Sequence, residues 1–323
     1  MCTAATYLTK DFYFGRNLDL EYSYCESVAV TPRNFPFKFR MEGDSYSHFA
    51  MIGMAYVEQD YPLYYEATNE KGLSIAGLNF PGNAHYKLPA EGKDNVAPFE
   101  FIPWILGQCA DLEQARRLLA KINLVNVNFS DELPLSPLHW IIADRSGAVT
   151  VESVADGLKI YENPMGILTN NPTFDFHMTN LANYMNLTAA EPTNRFAEGL
   201  KILPYSRGMG AMGLPGDLSS ASRFIKASFT KMNSVSGNSE SESISQFFHI
   251  LGSVEQQRGC VKLGDKLEIT VYSCCCNADK GIYYYKTYEN SQITAVDMHK
   301  ENLDGSSVVS YPLVTGQQIN FQN

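Results

Sequence analysis

The chain has 323 residues, of which 45% are hydrophobic and 12% aromatic, enough to bury a sizeable core. A formal charge of −10 and an isoelectric point near 5.1, with no basic stripe, exclude a nucleic-acid partner and leave any anionic ligand to be held by a local arginine. No basic segment followed by an apolar one opens the chain and no run of about 18 apolar residues interrupts it, so a soluble, unexported protein without a membrane span is expected.

No linker divides the sequence, and residues 1–323 read as a single domain. Residues 3–8 and 13–16 form a predicted hairpin across Thr9-Lys10-Asp11, and residues 27–31 a further strand closed by Pro32 and Pro36. Apolar strands follow at 48–56, 63–68 and 73–78, the last stopping sharply at Asn79-Phe80-Pro81-Gly82-Asn83. Helical spacing marks 99–109 and 112–122, with Asp111 as N-cap of the second. A second hairpin, 139–144 with 149–154, leads to strands at 159–161 and 165–169. Residues 205–217 are glycine-rich but have neither a Rossmann strand before them nor a Walker lysine, so they are expected to be a mobile loop over a site. Helices at 219–232 and 243–251 and strands at 267–276, 281–288 and 293–296 complete the chain. Strands, helices, then strands again indicate an α+β fold with two stacked sheets.

Seven cysteines, at 2, 25, 109, 260 and 274–276, are odd in number and scattered, unlike a disulfide framework. Cys274-Cys275-Cys276 lacks CxxC spacing and, on a strand, alternates between faces, so it reads as buried strand rather than a metal centre.

The first nineteen residues carry the chemistry. If Met1 is removed, which a small second residue permits, Cys2 bears both a thiol nucleophile and a free amine able to act as its base. An ordinary thiol, at about 8.5, and an α-amine, at about 7.7–8.0, lie close enough in proton affinity to exchange a proton near neutral pH. The hairpin returns Arg16 and Asp19 towards Cys2, where an arginine can stabilise a thiolate and a carboxylate can hold a protonated amine. The blander alternative pairs Arg16 with Asp19 on the surface, worth about 0–1 kcal/mol, and leaves Arg223 as a solvated helix residue. The histidines, at 48, 85, 139, 177, 249 and 299, show no HExxH or paired spacing, and His139 on a strand reads as packed rather than catalytic.

Five stretches, in order along the chain, go further: Met1-Cys2-Thr3, Phe14-Gly15-Arg16-Asn17-Leu18-Asp19, Ala76-Gly77-Leu78-Asn79-Phe80-Pro81-Gly82, Leu168-Thr169-Asn170-Asn171-Pro172 and Ser220-Ala221-Ser222-Arg223-Phe224. In them the chain resembles the choloylglycine hydrolases, N-terminal nucleophile hydrolases that include bile salt hydrolases and penicillin V acylases. The resemblance implies a four-layer αββα sandwich and amide hydrolysis by Cys2. It implies oxyanion donors at the backbone N–H of Asn79 and the side-chain amide of Asn170, and an Asp19 that orients the amine. Arg16 would sit by the thiol and help position substrate, and Arg223 would add positive charge behind Cys2 and Asp19. The first hairpin turn is shorter than in typical members, but the spacing of Arg16 and Asp19 is kept.

Residues 77–83 resemble bile salt hydrolases, whereas penicillin V acylases tend to place tyrosine at the position of Asn79. The resemblance therefore implies a conjugated bile salt, a steroid acyl group joined to glycine or taurine, with penicillin V acylase as the alternative. Leu18, Phe80, Met209 and Met212 are candidates for an apolar trough, and Arg207 for the anionic end, which favours taurine. A cytoplasmic homotetramer is a further implication of the resemblance, and no cofactor is implied. A catalytically silent binding protein for sterol-like anions is the rival from another class.

Overall fold

The computed structural model describes residues 1–323. In chain order the strands of its two large sheets are β1 (Cys2–Leu8), β2 (Phe12–Leu20), β3 (Ser27–Thr31), β4 (Met51–Glu58), β5 (Tyr61–Asn69), β6 (Ser74–Asn79), β7 (Leu138–Asp144), β8 (Gly147–Val154), β9 (Gly157–Glu162), β10 (Ile167–Leu168), β11 (Ile269–Asn277), β12 (Ile282–Thr287), β13 (Asn290–Asp297) and β14 (Val309–Pro312). The six-stranded sheet has the order β10-β1-β2-β11-β12-β13 and the eight-stranded sheet β9-β8-β7-β6-β5-β4-β3-β14; every pairing in both is antiparallel. The helices are α1 (Phe101–Gln108), α2 (Leu112–Leu119), α3 (Phe174–Asn180), α4 (Ser220–Asn233) and α5 (Glu240–Gly252). None is long and apolar enough to cross a membrane.

Strand alternation sorts the side chains into layers. On β7, Ile141 and Ala143 join a core shared with Phe14, Leu18, Cys274, Cys276 and Met54, between the sheets. Their neighbours Trp140 and Ile142 turn the other way and pack with Phe101, Ile105, Leu112 and Leu119 of α1 and α2. Phe224 and Ile225 of α4 and Phe247 and Leu251 of α5 cover the far side of the six-stranded sheet. The result is the four-layer αββα sandwich. The inner strands β1, β2, β7 and β8 are buried almost throughout because each is covered on both faces, so they read as continuous apolar runs, whereas the edge strands β9, β13 and β14 are largely exposed or half-buried.

Three register shifts interrupt this alternation, one of them between β12 and β13, and the other two bear on the site. In β11, Val271 is an extra residue, with Thr270 opposite Asp19 and Tyr272 opposite Leu18. In β5, Tyr65 is extra, with Tyr64 opposite Ala55 and Glu66 opposite Met54. An extra residue shifts the following side chain to the other face and frees a backbone group. Gly15 is required by close approach: a Cβ there would lie 2.0 Å from the Cys274 carbonyl oxygen of the neighbouring strand.

The expected elements are present with changed ends. The first hairpin has Thr6 opposite Phe14 and Tyr7 opposite Tyr13, and β2 runs four residues further than expected, to Leu20. Asp111 caps α2 by accepting from Gln114 N at 2.8 Å, but the helix stops at Leu119, and Ile122–Leu124 instead forms a short parallel pair with Asp94–Val96. α5 starts three residues early on a capping box between Ser239 and Glu242. Helix α3 and edge strand β14 were not expected; the first lies just after Pro172, and the second carries its proline at its end. Residues 205–217 contain one 3₁₀ turn, Met209–Ala211, and Gly210 packs against the carbonyls of Thr188 and Ala190.

Candidate active site

Cys2 is buried at the start of β1, directly opposite Leu18, with Ala4 opposite Arg16. Opposed residues share a face, so Cys2, Leu18 and Arg16 all point between the sheets. Asp19 and Thr3 point the other way, towards α4. The surface pair weighed from sequence, Arg16 with Asp19, is therefore absent: three positions along a strand is an odd step, and the two charges leave it on opposite faces.

Arg16 is 1% exposed and crosses the inter-sheet layer. Its Nη1 donates to Gly77 O at 2.5 Å and to Tyr65 O, the carbonyl freed by the β5 bulge, at 3.2 Å; Nε donates to Asn17 O at 3.4 Å. Glu66 Oε2 stands 3.7 Å from Nε. Burial works against the guanidinium charge, but Cys2, Tyr272, Glu66 and Cys274 around it hold its pKa above the ordinary arginine value.

On the helix side, Arg223 is fully buried and reaches out of the first turn of α4. It donates through Nη1 to Cys2 O and to Thr3 Oγ1, through Nη2 to Asn170 Oδ1 at 2.7 Å, and through Nε to Leu218 O at 3.0 Å. It is no solvated helix residue. Asp19 Oδ2 lies 3.9 Å from its Nη1, beyond hydrogen-bonding distance, and has no hydrogen-bond partner. Asp19 Oδ1 accepts from Thr270 Oγ1 at 2.6 Å, across the strand pair that the β11 bulge sets. Burial raises the Asp19 pKa to about 6, against the opposing pull of Arg223, the chain's amino terminus and Thr270.

Asn170 joins these parts. Its Oδ1 accepts from Cys2 N at 2.7 Å as well as from Arg223, and its Nδ2 donates to Asn79 O at 2.7 Å. Two donors on one side and a carbonyl on the other determine which way the amide points. One N–H of Nδ2 is left uncommitted. The backbone of Asn170 is held at both ends: its N–H donates to Ser220 Oγ at 2.8 Å, and its carbonyl accepts from His177 Nε2 at 2.9 Å. Burial lowers the His177 pKa, which favours the neutral imidazole, donating here from one nitrogen. Asn79 ends β6 with its side chain exposed and unbonded.

Met1 adds one rung to β1: Asp19 N donates to Met1 O at 2.9 Å, Met1 N donates to Asp19 O at 2.5 Å, and its ammonium pairs with Glu268. The amino end of the chain is thus already docked beside Asp19.

Cys2, Arg16, Asp19, Asn79, Asn170 and Arg223 converge. The residues expected to form an apolar trough do not all do so. Phe80 is fully buried, its ring stacked on His139 at 4.2 Å and 7°, so it supports the loop from inside instead of facing a ligand. His139 is packed as expected, between Thr169 O at 2.9 Å and Glu152 Oε1 at 3.1 Å. Leu18 is buried beside Cys2, Met209 is half-buried, and Met212 and Arg207 are exposed, the arginine without a side-chain partner. Their loop runs into Leu218, whose carbonyl is tied to Arg223. Thr3, Glu66, His177, Ser220, Thr270 and Glu268 complete the site and were not expected. Thr3 and Ser220 lie inside two of the stretches quoted above. Glu66, a lone carboxylate in an apolar strand, was a usable signal.

The model of the linear amide C–N hydrolases, choloylglycine hydrolase family, matches residues 2–311. A protein of Lactiplantibacillus plantarum named bile salt hydrolase/transferase is 55% identical over 97% of this chain and 97% of its own. The crystal structure of the C2A mutant of conjugated bile acid hydrolase from Clostridium perfringens superimposes with a TM-score of 0.92 at 37% identity, covering 100% of both chains. Penicillin V acylase from Agrobacterium tumefaciens, at 19% identity and a TM-score of 0.75 over 97% of this chain and 92% of that one, shares the fold.

Proposed function

Since the chain belongs to the choloylglycine hydrolase family, we propose that it hydrolyses the amide bond of glycine- or taurine-conjugated bile salts, with Cys2 as nucleophile. The observation that carries the mechanism is the Asn170 amide, whose oxygen accepts from Cys2 N while its nitrogen faces Asn79.

Excision of Met1 turns Cys2 N into an α-amine at the same place, where Asn170 Oδ1 accepts from it. The amine takes the thiol proton and the sulfur attacks the amide carbon. The second N–H of Asn170 Nδ2 and the Asn79 amide receive the charge on oxygen; one such donor is typically worth about 10²–10³ in rate. On collapse of the adduct the C–N bond breaks and the ammonium returns its proton to the departing amine of glycine or taurine. Water, activated by the same amine, then cleaves the thioester. Arg16 stabilises the sulfur anion from between the sheets, and Arg223 holds Asn170, Thr3 and the Cys2 carbonyl in place. Leu18, Met209 and Met212 contact the steroid, and Arg207 takes the anionic end, which favours taurine.

Residues 1–323 act as one domain in the cytoplasm, as a homotetramer. The support for assembly is the exposed apolar segment containing Met185, Phe196, Leu203 and Tyr205, of which Phe196 is 89% exposed. Light scattering on the purified protein should give four chains per particle; a monomer at micromolar concentration excludes this assembly.

The decisive test pairs the intact mass of the purified chain with release of taurine from taurocholate, glycine from glycocholate and phenoxyacetate from penicillin V. Loss of Met1 with taurine and glycine release is expected. Activity in a chain that keeps Met1, or faster turnover of penicillin V, overturns the reading. Arg207→Ala should raise KM for taurocholate more than for glycocholate.

A further inference from the structure

Glu66 is 1% exposed and sits on the inter-sheet face only because Tyr65 bulges out of β5. Three donors converge on its carboxylate: Tyr272 OH at 2.8 Å, Tyr283 OH at 2.5 Å and Cys274 Sγ at 3.5 Å. All three come from β11 and β12, so the opposite sheet grips the carboxylate. Arg16 Nε is 3.7 Å away. The same bulge that turns Glu66 inward also offers the Tyr65 carbonyl to Arg16 Nη1. With Nε and Nη1 engaged by Asn17, Tyr65 and Gly77, only Nη2 of the guanidinium lacks a protein partner. A buried carboxylate with no second cation near it and three fixed donors is more than a packing group: it sets both the charge balance and the aim of the arginine beside Cys2.

We propose that Glu66, held by Tyr272, Tyr283 and Cys274, is a positioning residue that aims the free edge of the Arg16 guanidinium at the sulfur of Cys2. The inference rests on the reading of Cys2 as nucleophile. An amide at position 66 puts N–H groups against a tyrosine hydroxyl and the guanidinium, so the arginine loses its hold without a change of volume.

The test is the rate of alkylation of Cys2 by iodoacetamide at pH 7 in the processed chain, measured peptide by peptide. Exposed Cys25 and Cys260 serve as internal references. Glu66→Gln should slow Cys2 about tenfold or more relative to both references, and Glu66→Asp should recover part of the rate. In an Arg16→Leu background Glu66→Gln should change nothing beyond about twofold, because the residue it aims is gone. An unchanged Cys2 ratio in Glu66→Gln, or a further tenfold loss in the double variant, overturns the proposal. Should Glu66→Gln fail to fold, Tyr283→Phe removes one of the three donors and should slow Cys2 about threefold; an unaltered ratio there overturns it equally. Taurine release is followed in parallel. A wild-type chain that releases none while the alkylation pattern appears refutes the substrate assignment and leaves the positioning role standing.

Discussion

Arg16 and Asp19 stand three residues apart on β2 and answer to different counterions on opposite faces of one sheet: Arg16 to Glu66 at 3.7 Å, Asp19 to Arg223 at 3.9 Å. Cys2 lies at the strand end between them, with its sulfur on the arginine side and its backbone held from the other by Arg223. The side chain and the backbone of Cys2 thus face separate charge systems, divided by the sheet.

This separation predicts that exchanging the two charges fails. In the double variant Arg16→Asp with Asp19→Arg, a carboxylate meets Glu66 and a guanidinium meets Arg223. Each buried pair broken this way costs about 3–5 kcal/mol, so no cooperative unfolding transition should remain in urea. A folded exchange variant would show that the two residues form one pair.

Asn170→Ala should lower kcat about 10²–10³-fold with little change in KM, since the lost N–H acts on charge that develops in the transition state. Steady-state kinetics on taurocholate check this. Asn170→Asp should do no better, because a carboxylate has no N–H to offer Asn79 O or the oxyanion. A variant whose loss lies wholly in KM would remove Asn170 from the oxyanion site.

Thr270→Val keeps the shape but leaves Asp19 Oδ1 without its donor and Gln256 N without its acceptor. A hydrogen bond to a charged group is worth about 1.5–3 kcal/mol, and urea midpoints should fall accordingly while turnover drops. Thr270→Ser should restore both. Full activity in the valine variant would mean that Asp19 is oriented by something else.

Burial lowers the pKa of His177 in the folded protein. In the unfolded chain it takes a proton near the ordinary value of about 6.5. The unfolded state therefore binds more protons as pH falls through about 6.5, and the stability present above that value is lost below it. His177→Gln lacks this contribution, so its deficit in Tm relative to wild type should shrink from pH 8 to pH 5. A deficit constant across that range would mean that His177 takes up its proton in the fold as readily as in the unfolded chain.

Much of this protein was legible before folding was considered. Apolar runs between turn signals placed the major strands and helical spacing placed the helices, because burial on both faces of a strand or on one face of a helix imposes those patterns on the chain. The unanticipated elements are those whose burial is settled from outside, such as α3, of which only Phe174 and His177 are buried, and edge strand β14. Cys2, Arg16, Asp19, Asn79, Asn170 and Arg223 were all identifiable from residue type and their place in five short stretches.

The sequence alone singled out Cys2 with its amine, Arg16, Asp19, Asn79, Asn170 and Arg223 as candidates, since these follow from residue type and order, but not Thr3, Glu66, His177, Ser220, Thr270 or Glu268. Which face each residue occupies was decided only in three dimensions. Val271 and Tyr65 are extra residues relative to partner strands far away in the chain, and no local pattern reveals an extra residue until the partner is known. Those two bulges deliver Thr270 to Asp19, and Glu66 and the Tyr65 carbonyl to Arg16. Phe80, apolar and next to Asn79, read as a ligand contact for the same reason: whether a ring faces a pocket or His139 depends on what the rest of the fold places beside it.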